Sequence, residues 1–391
     1  MELVQPKHYI SHQIQEHFDE IKRYKKKDNF LKSSFYQIHK NEISTVLNGL
    51  EWDNSISENY TSKKSLRIVS WNIERGKKLE AIIGFMNVDP ALSTADIILV
   101  TECDNGMGRT ANRNVAKELA EALSMNYCFA PSYLVLGKGA IGETDHLTQN
   151  TRALHGTAIL TKFPILAAKS IEVPPVKEVF HSSEKRLGCK KGLIVAIEIN
   201  KTSLSFGALH IDLSSTAKDR AKQLEAIVKN MPTSDIQVIG GDWNCGTFNL
   251  RRKWEIITQS LSKLCTIGFT KAIGHYMTPE LKFEKPLFDM LSLNNFEFND
   301  YNDRSKGTIY FDVNDLLTNE KTKKFIPGFL LKELQRKLKP WNGCVPLKID
   351  WLAGKGGEII NAQTIEKPTF EGVLLSDHNP IYIDLNIETS L

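Results

Sequence analysis

Carboxylate, amide and imidazole side chains follow one apolar run after another along this 391-residue chain. They are Asn72, Glu102, His210, Asp242, Asn244, Asp350, Asp377 and His378. A single Asp in such a place is most often a turn or a helix cap, and a single buried His is most often a satisfied core residue. The ends of neighbouring strands meet at one edge of a layered α/β protein, and the pattern recurs at strand end after strand end. We therefore predict that these side chains form one site.

The residue types favour a divalent cation and a phosphate group. Glu102 offers only oxygen ligands, and with Asn72 and Asp377 nearby it suits Mg²⁺, which Mn²⁺ can replace, better than zinc. Such an ion neutralises charge on a phosphoryl oxygen. The sequence has no G-x-S-x-G segment and no G-x-x-x-x-G-K-[ST] segment. Acyl transfer and nucleoside-triphosphate binding are therefore poorly supported, and attack of water on phosphorus is the reaction that fits.

Short apolar runs between polar turns supply the elements that must position these groups. Buried strands are predicted at residues 66–71, 96–100, 156–161, 192–199, 204–211, 236–241, 347–354 and 381–385. Helical patterns intervene at Asn114–Leu123 and Thr216–Met231. Strands that alternate with helices predict an α/β layered catalytic domain over residues 65–388. Residues 250–345 break this rhythm and are interpreted as an insertion.

The first 64 residues have a different pattern. Apolar residues recur at helical spacing from Ile10 to Ile21, and no strand-like alternation is present, so we predict a helical N-terminal extension. The basic run Lys22–Lys27 is either a solvated helix face, which its acidic neighbours favour, or a phosphate contact.

Composition narrows the class of protein. The chain has 41% hydrophobic and 25% charged residues and a net charge of +4, which excludes collagen, wholesale disorder and a strongly basic polyanion coat. No apolar run approaches the roughly 18 residues of a membrane span, and the start has no signal-peptide core. The 6 cysteines form no C-x-x-C pair and are expected to be reduced thiols. The cytoplasm is the expected location.

Seven segments in this order resemble the endonuclease/exonuclease/phosphatase superfamily. They are WNIERG (71–76), DIILVTECD (96–104), HGTAIL (155–160), ALHIDL (208–213), GGDWNC (240–245), KIDWL (348–352) and LSDHNP (375–380). The superfamily includes deoxyribonucleases, abasic-site endonucleases, sphingomyelinases and inositol polyphosphate phosphatases. The resemblance implies a four-layer sandwich of two packed β-sheets flanked by helices. Residues 102–123 are similar to a bacterial subgroup of unassigned substrate, and Thr101-Glu102-Cys103-Asp104 departs from the pattern of abasic-site endonucleases.

The resemblance also implies roles for single residues. Asn72 and Glu102 match the residues that hold the metal, and Asp377 matches the adjacent acid. Asp242 matches the residue that orients and deprotonates the attacking water, and Asn244 matches its partner at the phosphate. His378 matches the imidazole that binds the scissile phosphate, Asp350 matches the carboxylate that orients it, and His210 matches a residue that supports the phosphate. Lys190 or Lys191, with Arg186 as the alternative, matches a cation at the phosphate.

Other candidates come from their positions beside these motifs. Arg109 is interpreted either as a phosphate contact at the rim or as part of a surface ion pair, and His155 either as a substrate contact or as a structural residue. The basic and aromatic segment Arg251–Trp254 is a candidate nucleic-acid contact or a helix start.

Together these features predict a phosphodiester substrate, with nucleic acid as the expected class and no obligatory protein partner. The alternatives are a sphingomyelinase-like or inositol-phosphate-type hydrolase and, disfavoured by the complete set of side chains, a non-catalytic binding module.

Overall fold

The computed structural model describes residues 2–3, 7–56, 63–139, 148–182, 184–246, 269–312, 332, 336–339 and 343–388. Their strands are β1 (Glu2–Leu3), β2 (Lys7–His8), β3 (Glu51–Asp53), β4 (Ser65–Arg75), β5 (Ile97–Asn105), β6 (Asn126–Val135), β7 (Leu154–Thr161), β8 (Ala167–Glu172), β9 (Arg186–Gly188), β10 (Lys191–Ile199), β11 (Thr202–Leu209), β12 (Ile236–Asp242), β13 (Ile309–Asp312), β14 (Cys344–Leu347), β15 (Asp350–Lys355), β16 (Glu358–Thr364), β17 (Thr369–Phe370), β18 (Val373–Leu374) and β19 (Ile381–Asn386). Their α-helices are α1 (Phe18–Arg23), α2 (Lys27–Leu31), α3 (Ser34–Asn48), α4 (Leu79–Val88), α5 (Val115–Ala122), α6 (Ala217–Val228), α7 (Phe269–Met277) and α8 (Lys285–Leu293).

Within these residues the strands form two large sheets and two small ribbons. The larger sheet has 9 strands in the order β16-β19-β4-β5-β7-β6-β3-β2, with β9 added to β6. The smaller has 6 strands in the order β1-β8-β10-β11-β12-β15. β4 and β5 are parallel neighbours in one sheet, and β11 and β12 are parallel neighbours in the other. Each sheet therefore brings two successive strand ends to one edge.

Alternation along the strands packs the sheets face to face. Ile68 in β4 and Leu99 in β5 point into a core shared with Val195 in β10 and Phe206 in β11. The residues one step along point outwards, since successive side chains of a strand lie on opposite faces. Both faces of each central strand are therefore buried, one against the other sheet and one against helices. This explains why the apolar runs in the sequence are continuous and do not alternate.

Helices cover the two outer faces. On the larger sheet, α4 and α5 bury Ile82 and Leu119 against a second core cluster. On the smaller sheet, α6 and α8 bury Leu224 and Phe288 against a third. Helix α6 begins at a capping box, in which Thr216 and Asp219 each bond the other's backbone N–H. The layers run helix, sheet, sheet, helix, and the predicted four-layer sandwich is confirmed.

The N-terminal segment is helical as predicted, but it also contributes strands. Helices α1–α3 bury Ile21 and Phe30 in the core cluster on the outside of the larger sheet. The short strand β1 adds to the smaller sheet beside β8. The short strands β3 and β2 add to the larger sheet, where β3 pairs with β6. Strands of two or three residues leave no alternation to detect in the sequence.

Strand β6 was not among the predicted strands, although all ten of its residues are buried. Its sequence contains Pro131, which lacks the N–H that a ladder needs and argues against a central strand. The structure accommodates the proline at an irregularity, where the pairing with β7 shifts between Pro131 and Tyr133.

Part of the predicted insertion at residues 250–345 packs against the smaller sheet. Helix α8 is in the outer layer, where its Phe288 ring lies 4.7 Å from the Trp351 ring centroid. Within the part of the chain that is described, no helix has the length and apolar character needed to cross a bilayer.

Candidate active site

The two sheets meet at an edge where polar strand ends converge. Asn72 lies near the end of β4, and its register partner in β5, Thr101, directly precedes Glu102. In the smaller sheet, Asp242 ends β12 and faces Asp350, the first residue of β15. The sheets are joined here because the Asn72 amide Nδ2 donates to Asp242 Oδ2 at 3.1 Å. The structure thus brings Asn72, Asp242 and Asp350 together at this edge.

The backbone at this edge departs from regular strand geometry. Glu102 has φ of 57° and Asn244 has φ of 50°, both in the left-handed region that non-glycine residues rarely enter. The ladders on both sides of β5 shift register at this point. Backbone strain of this kind collects at functional sites, because the fold must hold a side chain in a direction that a regular strand would not give.

Gly241 is required by the close approach of two strands. With φ of 139°, it lies so close to β11 that a Cβ would meet the Leu209 carbonyl oxygen at 2.0 Å. Only glycine permits this approach of the two strands. The glycine before Asp242 therefore serves packing between β11 and β12, in addition to any approach of a substrate.

His378 is held between two carboxylates. Its Nδ1 lies 2.9 Å from Asp350 Oδ2, and its Nε2 lies 3.8 Å from Asp242 Oδ2. Burial alone would lower the pKa of His378, but the two acids outweigh it and raise that pKa well above the usual value. Asp242, Asp350 and His378 are also close enough to hold a metal ion. A protonated imidazole has no free lone pair, so we interpret this group as an ion triad centred on the imidazolium.

Asp242 is the acid on which several partners converge. The backbone N–H of Asn244 donates to Oδ1 at 3.0 Å, and His210 Nε2 lies 3.4 Å from Oδ2. Burial, with the like charge of Asp350, raises the pKa of Asp242 to about 7. The Asn244 amide Nδ2 donates to the Ile211 carbonyl oxygen at 2.9 Å, which fixes the turn after β12. A carboxyl with this pKa is poised to accept a proton at neutral pH.

Glu102 offers a carboxylate suited to a cation. Its Oε1 lies 3.8 Å from His210 Nδ1, and its Oε2 lies 3.5 Å from Arg75 Nη1. Burial would raise the pKa of Glu102, but the positive charge of Arg75, together with that of Lys190, outweighs it and holds that pKa well below the usual range. Burial and the nearby Lys190 charge lower the pKa of His210, which favours the neutral ring.

The other predicted metal ligands lie beside this centre. Asn72 Oδ1 accepts the Glu74 backbone N–H at 3.1 Å, and Asp377, exposed, directly precedes His378. Ionised and amide oxygens with no sulfur fit Mg²⁺ or Mn²⁺.

Two of the predicted cations interact electrostatically with the acids of this site. Lys190 interacts electrostatically with Asp212, Glu102 and Asp242, and burial lowers its pKa to about 8. The Arg186 guanidinium lies 5.1 Å from the centre of the Tyr133 ring, pairs with Glu184, and interacts with the Glu102 charge.

Two predicted phosphate contacts are directed elsewhere. Lys191 turns its ammonium to Asn48 Oδ1 at 2.8 Å and to the Leu47 carbonyl oxygen. Arg109 is 3% exposed in its side chain and binds Asp104 through both Nε and Nη2, at 2.7 and 2.9 Å. The end of α3 accepts two hydrogen bonds from the Lys191 ammonium, and buried acids pair with the Arg109 guanidinium, so both cations are held away from the acids of the site.

His155 and the segment Arg251–Trp254 complete the predicted set. His155 Nδ1 lies 2.8 Å from Asp104 Oδ1, and burial lowers its pKa to about 4. The His155 ring is thus buried and is held by Asp104. Arg251–Trp254 lies outside the described residues.

Sequence analysis missed three residues that shape the site. Arg75 pairs with Glu102, and Ser376 Oγ both donates to the Asn72 carbonyl oxygen at 2.7 Å and accepts the His378 N–H at 3.1 Å. Thr308 Oγ1 accepts the Asp350 N–H at 3.0 Å. Arg75 and Ser376 are inside recognisable motifs, whereas Thr308 lies in the segment interpreted as an insertion and gives no signal.

No protein-family model matches this sequence, and no curated protein matches it significantly. Solved structures do. An endonuclease/exonuclease/phosphatase from Beutenbergia cavernae DSM 12333 aligns with a TM-score of 0.50 and 12% identity, over 83% of this chain and 72% of that one.

Two further structures are similar over comparable lengths. An endonuclease/exonuclease/phosphatase family protein from Leptotrichia buccalis C-1013-b has a TM-score of 0.46 and 14% identity, over 82% of this chain and 99% of its own. Sphingomyelinase C from Streptomyces griseocarneus has a TM-score of 0.42 and 13% identity, over 83% of this chain and 100% of its own. At these identities the likeness concerns architecture, and the first structure carries it. The chain has the fold of the endonuclease/exonuclease/phosphatase superfamily, which the order of its motifs predicts.

Proposed function

We propose that this protein is a divalent-metal-dependent phosphoesterase that hydrolyses phosphodiester bonds by attack of water. One observation carries the proposal: Asn72, Asp242, Asp350 and His378, from four separate segments, are joined by contacts of 2.9 to 3.8 Å where two sheets meet. Such an arrangement provides a base and an electrophilic group side by side, which phosphoryl chemistry requires.

Asp242 is the proton acceptor. Its pKa of about 7 lets the carboxylate take a proton from water at neutral pH, and Asn72 and the Asn244 backbone N–H orient its two oxygens. His378, positively charged between two acids, donates a hydrogen bond from Nε2 to a phosphate oxygen and stabilises the charge that develops there. Asp350 holds Nδ1 and so fixes the direction of the ring.

Glu102, with Asn72 and Asp377, would hold the Mg²⁺ or Mn²⁺ ion. When bound, the ion neutralises charge on the phosphate and on the leaving oxygen. Lys190 and Arg186 attract the phosphate of the substrate to the same place.

Nucleic acid is the proposed substrate class. Lys190, Arg186 and Arg75 gather around Glu102, and this density of cations suits a ligand that carries more than one phosphate. Sphingomyelin and inositol phosphates are the competing substrates.

A turnover panel with Mg²⁺ or Mn²⁺ tests both parts of the proposal. It compares single- and double-stranded DNA, RNA, sphingomyelin and inositol phosphates, each with wild type and with Asp242→Ala. We expect metal-dependent cleavage of a nucleic acid that Asp242→Ala abolishes while binding of the same substrate persists. Cleavage of a lipid or inositol ester alone would overturn the substrate class. Binding without any turnover would overturn the enzyme and favour a non-catalytic module.

A further inference from the structure

Residues 184–191, here called the cation segment, carry both Arg186 and Lys190. Arg186–Gly188 form β9, which pairs with β6 at a branch of the larger sheet, and Lys191 begins β10. The Glu184 and Lys185 carbonyl oxygens also accept the backbone N–H groups of Gly137 and Leu136. These backbone bonds hold one side of the segment, and the N-terminal helices contact it, or the residues that lead into it, at three further places.

The first contact is at the end of α1. The Lys185 ammonium donates to the backbone carbonyl oxygens of Lys22 and Tyr24, at 2.6 Å each. The last carbonyls of a helix have no partner within the helix, and a cation there also complements the helix dipole. Lys185 thus connects the cation segment to α1, one residue before Arg186.

The second contact is at the end of α3. The Lys191 side chain is 1% exposed, and its ammonium binds the Leu47 carbonyl oxygen and Asn48 Oδ1 in the last turn of α3. Lys191 begins β10, in which successive side chains leave opposite faces, and Lys190 directly precedes it. Fixing Lys191 on the helix therefore favours the opposite direction for Lys190, whose charge interacts with those of Glu102 and Asp242.

The third contact is aromatic. The Phe180 ring stacks on Phe30 of α2 with centroids 5.6 Å apart, and the Lys185 ammonium lies 4.5 Å from the Phe180 ring centre. Lys27 adds an ion pair with Glu178 at 3.3 Å. All three N-terminal helices therefore contact the cation segment or the residues that lead into it.

We propose that the N-terminal helices α1–α3 act as a clamp that positions the cation segment, so that phosphate affinity at the active site depends on Lys185 and Lys191. Neither lysine touches the substrate; both are positioning residues for Arg186 and Lys190. The clamp keeps two cations ordered before the substrate arrives, which removes an ordering cost from binding. This inference rests on the proposed function for its activity readout, but not for its binding readout.

The test uses the full chain with bis(p-nitrophenyl) phosphate as a small diester and with inorganic phosphate as a binding probe. For Lys191→Met and for Lys185→Met we expect KM and the phosphate dissociation constant to rise about 10-fold, the loss that follows when a charge-assisted hydrogen bond no longer orders the site. We expect kcat to change far less, because Asp242 and His378 are untouched. Lys191→Arg should restore most of the affinity, because it keeps the donors to α3.

Lys169→Met is the matched control. Lys169, on β8, donates from Nζ to Asn230 Oδ1 at 2.9 Å, just beyond the end of α6, so it joins a strand to a helix end in the other layer. A merely structural effect would lower the unfolding temperature in all three methionine variants and leave phosphate affinity equal to wild type in each, which would overturn the clamp.

If Lys191→Met does not fold, the partly exposed Lys185→Met carries the test. Wild-type protein that binds phosphate but does not turn over the diester would overturn the proposed function, and the dissociation constants would still decide the clamp.

Discussion

Two Asp–His pairs are buried in this molecule, and the charged groups around them differ. In one, Asp350 Oδ2 lies 2.9 Å from His378 Nδ1; in the other, Asp104 Oδ1 lies 2.8 Å from His155 Nδ1. The residue types and the geometry are nearly the same. The pKa of His378 is raised well above its usual value, whereas burial lowers the pKa of His155 to about 4.

The difference comes from the third group in each cluster. His378 faces a second acid, Asp242, so the imidazolium is favoured between two carboxylates. The acid of the other pair is already neutralised, because Arg109 binds both oxygens of Asp104 and also binds Glu184. An Asp–His pair is thus a reactive centre in one place and a structural element in the other, and the neighbouring charge decides which.

The strongest test replaces Asp242 with Asn, which keeps the shape and removes the base. We expect kcat to fall by roughly 10³- to 10⁴-fold, the contribution of a positioned general base with its charge. Thermal unfolding should occur at the same or a higher temperature, since the variant relieves repulsion between Asp242 and Asp350. Stopped assays of diester cleavage and differential scanning calorimetry measure the two effects. If the variant retained most of the activity, Asp242 would not be the proton acceptor.

Asp104→Asn should give the opposite result. It breaks a buried pair by removing the charge that Arg109 binds through two nitrogens, so we expect the free energy of unfolding to fall by about 3–5 kcal/mol. Activity per folded molecule should be largely kept. Urea unfolding followed by fluorescence, with kcat measured at a temperature where the variant is folded, separates the two. A variant as stable as wild type would show that the Arg109 cluster does not support the fold.

Asp350→Asn tests the Asp–His pair that lies in the active site. The amide still orients the ring, but it no longer favours the imidazolium, so we expect kcat to fall by about 10²-fold. The pH–rate profile is the decisive measurement. His378 loses its charge at lower pH in the variant, because the pKa that Asp350 raised is lower, and the alkaline limb should move to lower pH. An unmoved limb would contradict an imidazolium role for His378.

The smallest expected effect concerns the pH dependence of stability. Below pH 6.5 the unfolded chain binds a proton at His155 that the folded protein does not bind until about pH 4. Acid in this range therefore favours unfolding, by about 2–3 kcal/mol at pH 4. In His155→Gln this contribution is gone, so the variant should lose less stability than wild type between pH 6.5 and 4. Parallel curves from urea unfolding at several pH values would show that His155 titrates normally.

Much of the fold was accessible from local pattern. The run at 236–241 matches β12, and the run at 66–71 matches the first part of β4, because strands buried on both faces are apolar over that length. Strand β6 escaped prediction because Pro131 contradicts a central strand, and only an irregular ladder makes it tolerable. The strands of the N-terminal segment escaped because strands this short carry no periodicity.

Some features of the candidate site could likewise be predicted from the sequence, and others could not. The sequence by itself determined which side chains are available: the oxygen and imidazole groups that follow buried strands are visible as residue types, and their order predicts the fold. Only the tertiary structure decided which of two adjacent lysines faces the site and which of two Asp–His pairs is charged. Lys190 and Lys191 have the same side chain, and what separates them is the helix end that binds one of them. Charge state and direction depend on atoms that are distant in the chain and near in space, and no local pattern records them.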